Sequence, residues 1–174
     1  MKKSLVVFLV VALGFLGCAT NGKAIQEEEG RFYERFGGFS IMIPDGWEAH
    51  ESPMLQYKIL IGPADNSFTP NINFETEAFV GTTEVYVDAV IAQLKELLDE
   101  NIEVLQRGDF VTAKDLKGER VVFNTVQGRQ FRQILYCFPG KGGKLVATCT
   151  VAVESNETYD ELFDQTMKTF EWIQ

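Results

Sequence analysis

Ile134-Leu135-Tyr136-Cys137-Phe138, followed across Pro139-Gly140-Lys141-Gly142-Gly143 by Leu145-Val146-Ala147, decides the fold. Both runs are apolar on successive residues. A strand with one wet face alternates apolar and polar residues, whereas a strand apolar on both sides is covered on both faces. The link between the runs is short, so the two strands are antiparallel neighbours. The centre of a sheet must therefore be packed above and below.

Working outward, Gln127-Gly128-Arg129 is a tight hairpin connection. It joins residues 131–138 to a strand that starts at Gly118 and carries Val121, Val122 and Phe123. Residues 144–153 and 102–112 read as two further strands. Between the halves, residues 83–100 place Val87, Val90, Ile91, Leu94, Leu97 and Leu98 at helical spacing, one apolar stripe. Thr82 or Thr83 caps that helix and Asn101 ends it. A second helix starts at the capping box Thr158-Tyr159-Asp160-Glu161, or one turn earlier at Asn156. Its stripe is Tyr159, Leu162, Phe163, Met167 and Phe170.

The N-terminal half supplies three strands. Residues 39–43 alternate at period two, and Pro44-Asp45-Gly46-Trp47 is turn chemistry. Residues 55–61 end at Gly62-Pro63, residues 65–70 are a loop, and residues 71–80 alternate again. The order is three strands, helix, four strands, helix. Two amphipathic helices and a doubly buried sheet centre predict an α+β domain over residues 31–174. Its architecture is a three-layer α/β/α sandwich, with a mainly antiparallel sheet of six to seven strands and one long helix on each face.

The segment before this domain carries an address. Lys2 and Lys3 precede an apolar run over residues 5–16, shorter than the roughly 20 residues a spanning helix needs. Phe15-Leu16-Gly17-Cys18 resembles the lipobox of bacterial lipoproteins. The resemblance implies removal of residues 1–17 and lipidation of Cys18. Residues 18–30, with Glu27-Glu28-Glu29, read as an acidic tether. The expected location is the cell membrane or outer membrane, outside the cytoplasm and held by lipid alone.

The chain has 16 Lys+Arg against 25 Asp+Glu, a net charge of −9. Losing Lys2 and Lys3 with the signal leaves 14 against 25, or −11. Such a surface argues against nucleic acid as a partner, because that binding neutralises phosphates with Lys and Arg. It equally disfavours electrostatic adhesion to anionic lipid headgroups.

Gly38-Phe39-Ser40-Ile41-Met42-Ile43-Pro44-Asp45-Gly46-Trp47 resembles the opening motif of the PsbP/Mog-like superfamily, which includes bacterial DcrB-like lipoproteins. Pro70-Asn71-Ile72-Asn73 is similar to a later strand of that family. Tyr136 and Phe138, and Thr169-Phe170 at the end of the last helix, continue the likeness. The resemblance implies an α/β/α sandwich whose members generally bind other proteins and do not catalyse reactions. It carries no binding residues across.

Few residues invite chemistry. His50 is the single histidine, and Glu48-Ala49-His50-Glu51-Ser52 forms no recognised motif. Gly140-Lys141-Gly142-Gly143-Lys144 lacks the spacing of a phosphate loop and falls in a hairpin. Asn156-Glu157-Thr158 reads as a helix cap. Glu75 and Glu77 share a strand face and would suit a hard cation, but without the ligand spacing of a calcium loop. Cys137 and Cys149 flank one hairpin, and export permits a disulfide between them if the turn centres on Gly143. A turn centred earlier leaves them out of register. No catalytic, cofactor or metal residue is assigned.

The expectation is a lipid-anchored, non-catalytic protein-interaction or assembly module with an unidentified envelope protein as partner. A small-ligand or lipid carrier is the alternative, and requires an apolar cavity between sheet and helix. An enzyme would require convergent titratable groups in a cleft.

Overall fold

The computed structural model describes residues 29–65, 68–98 and 101–173. The signal, Cys18 and the tether to residue 28 lie outside the described residues, as do the side chains of residues 155–157. The elements run β1 (Arg31–Glu34), β2 (Phe39–Met42), β3 (Glu48–His50), β4 (Ile59–Ile61), β5 (Asn71–Glu77) and α1 (Thr83–Leu98). They continue as β6 (Ile102–Val111), β7 (Lys117–Gln127), β8 (Arg129–Gly140), β9 (Gly143–Ala152), α2 (Asn156–Lys168) and β10 (Glu171–Trp172).

Seven strands form one antiparallel sheet in the order β3-β4-β5-β9-β8-β7-β6. The doubly apolar runs occupy β8 and β9, inside that sheet as their patterning requires. Tyr86, Val87, Val90 and Leu94 of α1 pack on Val121, Phe123, Leu135, Cys137 and Val146. On the opposite face, Phe163 and Met167 of α2 meet Ile134, Tyr136, Phe138, Ala147 and Cys149. Alternation on β8 thus sends 134, 136 and 138 to one helix and 135 and 137 to the other. Each fully buried side chain of this size contributes about 1.5–3 kcal/mol by leaving water, so both layers are needed to hold the sheet.

The α2 face carries more than a helix. β2 pairs with β1 and with β10 in a separate three-stranded sheet, and does not join the large one. Phe32, Phe39 and Ile41 of this small sheet are buried in the same core as α2. Phe170, just past α2, stacks on Phe138 at 4.7 Å and 3° and also meets Phe39 and Trp172. β1, β3 and β10 have four, three and two residues, too short for a periodic signature. The strand expected over 55–61 contracts to Ile59–Ile61, because Leu55 closes a turn onto the Ser52 carbonyl at 3.2 Å.

Local punctuation mostly follows the side chains. Thr82 caps α1, its Oγ1 accepting from the Val85 amide at 3.2 Å. The Asn101 amide closes on the Leu98 carbonyl at 3.0 Å. α2 begins at Asn156, the earlier of its two expected starts. The Trp47 amide bonds the Pro44 carbonyl at 3.0 Å with Gly46 at φ +77°, a conformation glycine adopts without steric cost. Trp47 then lies beneath the turn, edge-on to Phe163.

The β8–β9 turn decides the cysteine question. Gly140 pairs with Gly143, so the turn residues are Lys141 and Gly142, the latter at φ +80°. Cys137 then faces Val146, and Cys149 faces Ile134. The cysteines lie in different cores on opposite faces of the sheet, and both thiols are free. The register therefore rules out the disulfide that export would have permitted.

Candidate functional site

β4 is too short to follow β5. It pairs only through Leu60↔Ile72 and Ile61↔Asn71, whereas β9 follows β5 over every residue from Asn71 to Glu77. Residues 73–77 therefore lack a strand partner on their outer side among the described residues. The Pro70 carbonyl accepts from the Gly62 amide on that side, and the Thr76 amide points the same way. Backbone alternation then aims the N–H and C=O of Phe74 outward too.

A side chain stands in for the missing strand at one end. Gln56 accepts from the Thr76 amide at 2.8 Å through Oε1 and donates to Thr76 Oγ1 at 2.9 Å through Nε2. The Tyr57 and Thr76 hydroxyls share a 2.8 Å hydrogen bond. The loop over 51–57 is thereby fastened against the edge. It leaves a cleft of about 310 Å3 between Met54, Leu55 and Gln56 on one side and residues 73–77 on the other.

The cleft is acidic. Glu75 and Glu77 project to the α1 face of β5, opposite Val146 and Lys144 of β9. Burial, reinforced by the charge of Glu77, raises the Glu75 carboxyl from 4.5 to about 7. Burial also raises Glu77, opposed by the hydrogen bond it accepts from the Tyr86 hydroxyl at 3.0 Å. Lys144 turns aside, donating to the Gly81 carbonyl at 2.9 Å and lying 5.6 Å from the Phe79 ring centre. Neither carboxylate has an ion pair among the described residues. Glu75 and Glu77 are brought together as their spacing implied, but no set of three metal-ligating side chains occurs among the described residues.

The other charged cluster is a structural cross-link. Arg120 and Arg132 rise from β7 and β8 to Asp164 and Asp160 on α2, at 2.7 Å and 2.6 Å. The Tyr136 hydroxyl adds a 2.5 Å bond to Asp164. Both carboxylates here have a cation.

His50 ends β3, half-exposed beside Glu48 at 3.2 Å and remote in the sheet order from both cysteines. Burial pushes the Cys137 thiol up to about 12 and Cys149 well above its ordinary range. A nucleophilic thiol needs the opposite shift. Gly140-Lys141-Gly142-Gly143-Lys144 is a hairpin turn and its flanks. The cleft itself was missed in the sequence because it arises where β4 stops. One cue was available: Asn71, Asn73, Glu75 and Glu77 make one face of β5 polar throughout.

No family model matches the sequence, and no curated protein matches it. Solved structures do. Cyanobacterial PsbP (CyanoP) from Synechocystis sp. PCC 6803 is 12% identical and aligns with a TM-score of 0.62, covering 90% of this chain and 97% of its own. LpqN of Mycobacterium tuberculosis, a protein involved in cell envelope biogenesis, is 14% identical with a TM-score of 0.57, over 78% and 83% of the two chains. The Ran-binding protein Mog1p of Saccharomyces cerevisiae is 10% identical with a TM-score of 0.56, over 83% and 95%. Identities this low speak for architecture alone, and on that architecture the domain has a PsbP/Mog-like fold.

Proposed function

We propose that the chain is a bacterial envelope lipoprotein, anchored through Cys18, whose folded domain is a non-catalytic protein-interaction or assembly module. One observation carries the second half of this reading: the cleft between residues 54–56 and β5 is walled by carboxylates with no nucleophile–base pair in it, since His50 ends β3, Cys149 lies in the other core, and the Cys137 thiol near Glu77 is buried and raised to about 12. Acyl transfer or thiol chemistry needs a nucleophile and base within hydrogen-bond reach. A carrier would need an enclosed apolar cavity between sheet and helix, whereas this cleft opens at the edge. Similarity of fold to an envelope-biogenesis protein and to a Ran-binding protein supports the same reading. The first half rests on Phe15-Leu16-Gly17-Cys18. No helix among the described residues is long and apolar enough to cross a membrane; attachment through the lipid is read from the Cys18 motif alone.

Palmitate labelling of the expressed chain tests the anchor. Label should enter the wild type, be lost in Cys18→Ser, and co-fractionate with membranes. An unlabelled wild type contradicts the anchor. In-cell crosslinking tests the module: discrete protein adducts are expected, and a chain that yields none at any surface position is not an interaction module.

A further inference from the structure

We propose that the end of the large sheet at the β6–β7 and β8–β9 turns is a docking surface for anionic lipid headgroups, which seats the tethered domain on its bilayer. The inference goes beyond the interaction-module reading and rests on the lipid that reading places on Cys18.

A net charge of −9 disfavours adhesion over the surface as a whole, but the charge is not evenly spread. Glu119 pairs with Cys137, so the start of β7 lies beside the end of β8 and the two turns share one end of the sheet. Lys114 stands in the β6–β7 turn, Lys117 opens β7 opposite Val111, and Lys141 is in the β8–β9 turn. Lys168 closes α2 and joins them, since its carbonyl accepts from the Ala113 amide at 2.7 Å. All four lysines are exposed. Lys117, Lys141 and Lys168 have no ion pair among the described residues, and Lys114 reaches Glu171 only at 3.9 Å. Asp115 shares the β6–β7 turn, and Glu171 is already held by Arg31 at 3.2 Å, so the lysines outnumber the acids beside them. At the opposite end of β8, by contrast, Arg129 is paired with Glu154 at 3.3 Å.

Apolar side chains stand among these ammonium groups. Val111 is 45% exposed and Val80 is 100% exposed. Val80 belongs to the loop between β5 and α1, which Lys144 of β9 holds at this end by donating to the Gly81 carbonyl at 2.9 Å. Cations beside exposed apolar groups suit the boundary between headgroups and acyl chains. A soluble anion would use the cations alone.

The anchor selects the occupant. Arg31, where β1 begins, donates to the Thr169 carbonyl at 3.2 Å and shares Glu171 with Lys114. The chain from Cys18 therefore enters the fold beside Lys114 and Lys168. Thirteen residue steps separate Cys18 from Arg31, a covalent reach of at most about 45 Å. A lipid on Cys18 thus keeps the basic end near the bilayer and lets the acidic remainder face away. Each lysine near an anionic surface strengthens attachment about fivefold, and a tether makes such weak contacts intramolecular.

The test uses the full chain, extracted from cell membranes and added to preformed vesicles. These are phosphatidylcholine alone, or phosphatidylcholine and phosphatidylglycerol in equal parts. Lysine acetylation is then read by mass spectrometry. On the anionic vesicles Lys114, Lys117, Lys141 and Lys168 should label about fivefold more slowly than on the neutral ones, while Lys95, exposed on α1, is unchanged. Salt at about 1 M, where the Debye length shrinks to about 3 Å, should erase the difference. Lys117→Glu combined with Lys141→Glu, both at exposed positions, should return Lys114 and Lys168 to their neutral-vesicle rates. Equal labelling on the two vesicles, slowing that includes Lys95, or protection that survives the double substitution would each overturn the proposal. Protection by inorganic phosphate on neutral vesicles would make this a small-anion site and overturn lipid docking. Protection by polyglutamate, with none from phosphatidylglycerol, would make it an acidic-protein surface and overturn docking equally. A palmitate-bearing chain whose lysines label alike on both vesicles removes the docking and leaves the anchor. A wild type without palmitate removes the anchor, and the docking with it.

Discussion

Under α2, Arg120 and Arg132 meet Asp164 and Asp160 within 2.7 Å and 2.6 Å. At the outer edge of β5, Glu75 and Glu77 share a partly buried face with no ion pair among the described residues. The two clusters sit on one sheet and differ in what completes them. The first is closed within the chain: cation, anion and the Tyr136 hydroxyl all belong to the sheet–helix interface. The second is open, since its carboxylates have no ion pair among the described residues. Placing charge away from water without a partner raises the cost of ionisation, and that cost is retained where something else removes it. The contrast separates charge that holds the fold from charge that has no ion pair among the described residues.

The largest effect should come from opening the closed cluster. Asp164→Ala leaves the Arg120 guanidinium, 14% exposed at its side chain, without its nearest anion. It also removes the acceptor of the Tyr136 hydroxyl. Denaturant unfolding should show a loss of about 3 kcal/mol. A loss below about 0.5 kcal/mol, the scale of exposed pairs, would place the cluster among surface ion pairs.

The open cluster should respond in the opposite direction. Glu75 has a folded-state pKa raised from 4.5 to about 7, so the folded state binds its proton more tightly than the unfolded chain does. Its contribution is full below pH 4.5 and is lost as the pH rises to about 7. Glu75→Gln removes that loss, and should stabilise the chain by about 2 kcal/mol at pH 8 relative to its effect at pH 4. Stability curves at the two pH values measure it. A destabilising substitution at pH 8 would mean the carboxylate already has a cation.

Lys144 sharpens the boundary between the clusters. Replacing it by Met keeps the stem packed near Phe79 but deletes the bond to the Gly81 carbonyl. A loss of about 1 kcal/mol is expected, together with an unchanged Glu75 titration. A large rise in that titration would identify Lys144 as the counter-ion. The smallest effect belongs to the thiols: the free cysteines on opposite faces predict the same unfolding midpoint with and without reductant. A midpoint lowered by reductant would contradict the β8–β9 register.

Much of the scaffold is legible in residues 134–138 and 145–147, because successive apolar residues on a strand have one physical meaning. Both helices are equally plain from their stripes. The three-stranded sheet was not legible. β2 alternates like any strand, and nothing local says that its neighbours are β1 and the two residues of β10. Pairing over that sequence distance is settled by the burial of Phe39, Ile41 and Phe170 together. The cleft was half legible. The polar face of β5 is written in Asn71, Asn73, Glu75 and Glu77, but the early end of β4 depends on the Ser52–Leu55 turn and on Gln56 reaching Thr76.

A carboxyl NMR titration of Glu75 tests the contrast between the clusters most directly. Its midpoint should lie at about 7 in the folded chain and fall in Glu77→Gln, because the neighbouring charge is removed. A midpoint at the ordinary 4.5 would mean a solvated or already paired carboxylate and would contradict the account.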